Sequence, residues 1–88
     1  MYKFNLGKTV ITRGAKEILE PEEVFIALGR YLNGDWGDLE EEDKESNEEA
    51  LKDGYRIIAA YISRNGEEFW IITERDRSLT TILLPSEY

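Results

Sequence analysis

The stretch YRIIAAYISRNGEEFWIIT, Tyr55 to Thr73, decides the fold. Tyr55, Ile57, Ala59 and Tyr61 alternate with Arg56, Ile58, Ala60 and Ile62, and a period of two is the mark of a strand. Both faces of the alternation are fairly apolar, which predicts a central strand. Asn65-Gly66 predicts a hairpin, because both residues tolerate the positive φ of a tight two-residue turn. The return strand then runs from Glu68 to Thr73 through Phe69-Trp70-Ile71-Ile72. Further on, Glu74 to Ser78 (ERDRS) reads as a second turn and Leu79 to Leu84 as a third strand. Pro85 ends the pairing, since it has no N–H for the ladder.

Upstream, the β-branched Lys8 to Thr12 (KTVIT) offers a fourth strand. Thr12 is placed to cap a short helix over Ala15 to Leu19. Pro21, followed by Glu22 and Glu23, opens a second helix running to Asn33, where Gly34 stops it. Val24, Leu28 and Tyr31, with Phe25 and Leu32 beside them, form its apolar, core-packing face. A third helix is expected from Leu39 to Lys52, capped by Asp38 and closed by Asp53-Gly54. Its apolar stripe is thin: Leu39 at the start, Ala50 and Leu51 at the end, with Asp43 and Asn47 on the same face between them. Helices first and strands second predict an α+β fold, a single domain over residues 1–88. Its sheet is an antiparallel three- to four-stranded meander, with two or three helices packed on one face.

The charge is unevenly spread. From Asp38 to Asp53 nine acidic residues face only Lys44 and Lys52, a net of −7 in a chain of −8. Such a segment favours basic partners and disfavours direct nucleic-acid binding. No cysteine or histidine is present, which removes disulfides, a thiolate nucleophile, the commonest general base and the usual zinc ligands. No apolar run is long enough for a membrane span, and MYKFNLGK lacks the apolar core of a signal peptide. The expectation is a cytoplasmic protein, a monomer or weak dimer, with no metal, no cofactor and no enzymatic activity.

Three groups of residues stand out. In GDWGD, Trp36 lies between Gly34 and Gly37 with Asp35 and Asp38 on either side. It is either a plug over the seam between helix and sheet or an exposed anchor for a partner. The acids Asp35, Asp38, Glu41, Glu42 and Asp43 offer oxygen ligands for a hard cation, but their spacing does not match an EF-hand loop. A helix of carboxylates also approximates one strand of phosphates, so partial mimicry of nucleic acid is an alternative. In ERDRS, Arg75 and Arg77 flank Asp76. They can pair with Asp35, Asp38 or Asp43, or grip an external carboxylate or phosphate. Asp35, Trp36, Asp38, Asp43, Asn47, Asp76 and Arg77 are thus the candidate binding residues. If brought together, these carboxylates and Arg77 would make a polar corner for a small ligand or for acid–base chemistry.

GDWGDLEEED, together with FWIITERDRSLTTILLPSEY, closely resembles a family of small prokaryotic proteins that recur on plasmids and other mobile elements. The resemblance spans nearly the whole chain and is most specific at Gly34 to Asp38, at Asp43 and at Trp70 to Leu84. It implies a role in modulating host or plasmid machinery. With the charge map it points to a protein-interaction module for a partner with a basic surface.

Overall fold

The computed structural model describes residues 2–88 and contains, in chain order, β1 (Lys8–Ile11), α1 (Arg13–Ile18), α2 (Pro21–Leu32), α3 (Glu41–Asp53), β2 (Ile57–Ile62), β3 (Glu68–Thr73) and β4 (Leu79–Leu83). A 3₁₀ turn, Pro85–Glu87, follows. The fold is α+β. The sheet order is β1-β4-β3-β2, with β2, β3 and β4 antiparallel and β1 parallel to β4. The sheet is therefore mixed, which corrects the expected meander. The cause is the path of the chain: β1 is joined to β2 through three helices rather than a hairpin, so its direction is not tied to a turn.

The 57–73 hairpin forms with Ile57 opposite Thr73 and Tyr61 opposite Phe69. Its loop is longer than the two-residue turn predicted. The Ser63 N–H donates to Glu67 O and the Gly66 N–H to Ser63 O, and only Gly66 takes a positive φ, of 83°. This is a three-residue connection in which glycine supplies the left-handed position.

Ile57, Ala59, Tyr61, Phe69, Ile71 and Ile82 face one core, which Ala15, Leu19, Ala27, Tyr31, Trp36 and Ala50 complete from the helices and the α2–α3 loop. Thr12 caps α1, its hydroxyl accepting from Ala15 N–H. On α2 the buried residues are Ala27, Tyr31 and Leu32, while Phe25 is 79% exposed and lies outside the core. On α3 the buried residues are Asn47 and Ala50. Gly54 closes it in the left-handed conformation, where glycine has no Cβ clash.

A buried hydroxyl chain ties the N-terminal segment to the sheet. Tyr31 Oη lies 2.7 Å from Thr73 Oγ1, Thr73 Oγ1 2.8 Å from Thr80 Oγ1, and Thr80 donates to Leu6 O at 2.7 Å. Each hydroxyl has a partner, so burial of three polar side chains carries no unmatched donor. Burial pushes the Tyr31 phenol pKa far above its ordinary value, so it stays a neutral donor.

Candidate functional site

The site grows from the outer edge of β2. Residues Ile57, Ala59 and Tyr61 pair inward with β3, so Ile58 and Ala60 turn their backbone groups the other way. Asn47 of α3 answers the first of these. Its Nδ2 donates to Ile58 O at 2.8 Å and its Oδ1 accepts from Ile58 N–H at 3.3 Å. The GDWGD loop answers the second: Ala60 N–H donates to Trp36 O, and Asp38 N–H donates to Ala60 O at 2.7 Å. This parallel bridge between Gly37 and Ala60 needs glycine. Gly37 has a φ of 76°, and a Cβ there would stand 1.9 Å from Ala60 O.

The same contacts explain two departures from expectation. β2 is an edge strand, not a central one, but its edge is closed by groups that are not a strand. And Asp38 does not cap α3. Its backbone is committed to β2, so the helix starts at Glu41, with Glu40 at the cap position and no side-chain cap bond.

Trp36 is 3% exposed. Its ring meets Tyr31 edge-on at 5.8 Å and lies 6.2 Å from Phe4, and its indole N–H donates to Glu48 Oε2 at 2.8 Å. It is the plug of the two readings. A residue with its ring inside the core and its one donor matched offers nothing to a partner. Asp35 holds the loop from outside. It accepts from Arg30 Nε at 2.7 Å and from Gly37 N–H at 3.1 Å, while its carbonyl accepts from the Tyr61 hydroxyl at 2.8 Å. The Arg30 hydrogen bond, aided by the Gly37 N–H, holds the Asp35 carboxyl below its ordinary pKa.

ERDRS is a separate fixture. Arg77 takes a φ of 61°, a conformation that costs a side-chain-bearing residue about 1–2 kcal/mol. Its guanidinium donates to Tyr55 O at 2.6 Å, Ala50 O at 2.9 Å and Glu74 O at 3.2 Å, and lies 5.9 Å over the Phe4 ring. It thereby serves the carbonyls at the C-terminal end of α3, where a cation also suits the helix dipole. Asp76 accepts from the hydroxyl and N–H of Ser78, which together hold its carboxyl below the ordinary range. Neither residue bonds to Asp35, Asp38 or Asp43. The polar corner is not assembled as one group.

What the fold does assemble is a cleft of about 370 Å³ beside β2. Asp38, Asp43, Asn47 and Glu68 line it over an apolar floor of Ile58, Ala60 and Trp70, with Arg56 at one side. Arg56 is held by Glu74 at 3.6 Å and by the Tyr88 hydroxyl at 3.0 Å. Trp70 stands edge-on to Tyr88 at 5.4 Å and donates its indole N–H to Glu68 Oε2 at 2.7 Å. Three of the residues singled out in the sequence therefore share this cleft, and two residues not singled out, Glu68 and Trp70, complete it. Their separation of 25 to 32 positions from Asp38 and Asp43 leaves no local spacing signal.

Outside the cleft, the carboxylates of Asp38 to Asp53 are all exposed. Glu41 meets Lys44 at 3.9 Å and Glu48 accepts from Trp36. Among the described residues, no three acidic side chains are grouped closely enough to hold a metal ion, and no helix is long and apolar enough to cross a membrane. No protein-family model, curated protein or solved structure matches the chain.

Proposed function

We propose that the protein is an interaction module that receives a basic surface of another protein on α3 and in the cleft beside it. The observation that carries this reading is a run of glutamates on α3 that has no ion-pair partner among the described residues. Glu42, Glu45 and Glu49 form one exposed stripe at helical spacing, and no lysine or arginine of the described residues lies within 4 Å of any of them. Like charges at such spacing destabilise a helix by a few tenths of a kcal/mol per pair. They make better sense against an external cation. The cleft would take one basic side chain of the partner, its charge between Asp38, Asp43 and Glu68 and its aliphatic stem on the Trp70 floor. The resemblance at Gly34 to Asp38 and Trp70 to Leu84 supports a plasmid or mobile-element setting. A partner that is itself a DNA-binding protein would make the module a partial mimic of nucleic acid.

The test is capture from host lysate on immobilised protein, at low and high salt, by wild type and by the triple reversal Glu42→Lys, Glu45→Lys, Glu49→Lys. Circular dichroism establishes that the variant is folded. A protein held by wild type, released by salt and lost from the reversal is the expected result. Equal capture by both proteins would overturn the reading.

A further inference from the structure

The donors that line the cleft beside β2 are engaged within the fold, while its carboxylates are not. The Ser46 hydroxyl donates to Glu42 O, the Asn47 amide to Ile58 O and the Trp70 indole N–H to Glu68 Oε2. Arg56, the one cation of the lining, donates to the Tyr88 hydroxyl, lies over the Tyr88 ring at 5.4 Å and has Glu74 at 3.6 Å. Asp38, Asp43 and Glu68, by contrast, have no lysine or arginine within 4 Å among the described residues. A group that complements this cleft must therefore bring donors and positive charge, and needs no acceptor.

The floor narrows the choice. Tyr88 meets the Trp70 ring edge-on, with the planes at 66° and the centroids 5.4 Å apart, so it does not cover the indole as a stacked ring would. The face of an indole is the negative part of its quadrupole and attracts a cation. Glu68 is held at the indole nitrogen, which places a carboxylate at the rim of that ring. Arg56 over Tyr88 shows the same pairing of guanidinium and ring one aromatic away. A guanidinium is planar, carries five N–H donors and no acceptor, and stacks on aromatic faces. An ammonium is a compact, strongly hydrated point charge.

We propose that the cleft selects arginine over lysine: the partner side chain it receives is a guanidinium stacked on Trp70, with its N–H groups directed to the carboxylates of Asp38, Asp43 and Glu68. This selectivity presupposes that α3 and the cleft receive a basic surface, as proposed above, and specifies which residue of the partner enters. The two parts of the surface divide the work. The stripe of Glu42, Glu45 and Glu49 attracts lysine and arginine alike, because net charge and screening alone act there. The distinction between them is made at the Trp70 ring.

The probe is a pair of short peptides, lysines around a central arginine or around a central lysine, each titrated into the full chain and followed by its indole N–H resonances. The chain has two tryptophans, and Trp36 is buried, so the Trp70 resonance reports on the cleft. The expected result is salt-dependent binding of both peptides, with the arginine peptide about three- to tenfold tighter. It alone should move the Trp70 resonance, while that of Trp36 stays in place. Trp70→Leu keeps the floor apolar and should bring the two affinities together. Glu68→Gln should narrow the gap as well, so the test survives if the Trp70 variant does not fold. Equal binding of both peptides by wild type, weakened by the reversal of Glu42, Glu45 and Glu49, overturns the arginine preference and leaves the acidic face of α3 as the receiver. Binding of neither peptide overturns both. A concentration-dependent dimer that Trp70→Leu abolishes also overturns the proposal, since the cleft would then hold a side chain of a second copy.

Discussion

The Asn47 side chain pairs with both backbone groups of Ile58, Nδ2 to the carbonyl at 2.8 Å and Oδ1 from the N–H at 3.3 Å, as a neighbouring strand would. One buried amide thereby fixes α3 alongside β2. Asn47→Ala leaves two edge groups to whatever water enters from the cleft, at a cost of about 1–3 kcal/mol. For a domain of this size that is about 4–8 °C of melting temperature per kcal/mol. Thermal unfolding checks the magnitude, and amide exchange at Ile58 checks the cause. An unchanged Ile58 exchange rate would show that the pairing contributes nothing.

Trp36 gives a sharper contrast. As a plug, its loss opens the core beside Phe4 and Tyr31, and Trp36→Ala should cost about 3–5 kcal/mol. That is a large part of the total stability of about 5–15 kcal/mol usual for a domain. Trp36→Phe keeps an aromatic ring beside Tyr31 but loses the indole bond to Glu48 and part of the ring's buried volume, so it should retain the fold at reduced stability. Denaturant unfolding of the two variants separates these outcomes. If Trp36→Ala were as stable as wild type, the plug assignment would fail.

Gly37 and Gly54 share almost the same φ, 76° and 75°, yet only one of them is crowded. A Cβ at Gly37 meets Ala60 O at 1.9 Å, whereas a Cβ at Gly54 meets nothing within 4 Å. Gly54→Ala should therefore cost only the conformational penalty of about 1–2 kcal/mol. Gly37→Ala must also break the bridge to β2 and should cost clearly more. Equal melting temperatures for the two variants would mean that the close approach at Ala60 is not what holds the loop.

Acid should weaken the fold through three carboxyls. Asp35, Asp76 and Glu87 are each held below their ordinary pKa by hydrogen bonds, chiefly from Arg30, from the Ser78 hydroxyl and from the Thr12 hydroxyl respectively. A depressed pKa in the folded state means fewer bound protons than in the unfolded chain. The stabilisation is thus present above the ordinary values of 3.8 and 4.5 and is lost as pH falls through the lower, folded-state values. Asp35→Asn and Glu87→Gln should each flatten the acid limb of a melting-temperature profile between neutral pH and about pH 3. A variant limb parallel to wild type would remove that residue from the account.

The residues that located each element in the sequence did so by burial, and burial does not say what provides the cover. Ile57 to Ile62 read as a central strand because both faces of the alternation are apolar, yet the strand lies at the sheet edge. The cover on one side, however, is the Asn47 amide and the Trp36–Asp38 backbone, about 10–25 positions away, where periodicity carries no information. Thr12 could be recognised as a cap because its partner, Ala15 N–H, is three residues off. Asp38 had the right type and place for a cap, but a long-range bridge to Ala60 took precedence over local preference. Phe25 fits the helical stripe, yet it lines a groove beside β1. The direction of β1 was hidden for the same reason, since Lys8 finds Leu79 across 71 residues. Of the candidate residues, Asp38, Asp43 and Asn47 share the cleft, whereas Arg77 was recognisable as a cation needing a partner but not as one bound to carbonyls.

With β2 closed and β1 open, the sheet has a valence of one. A molecule with two free edges can propagate, each added copy offering a new end, and becomes a monomer for fibrous growth. This one can join a growing edge but cannot extend it. Placed at the end of a cross-β filament it would act as a chain stopper, and what confers this monovalence is the Asn47 amide together with the Trp36–Asp38 backbone along β2.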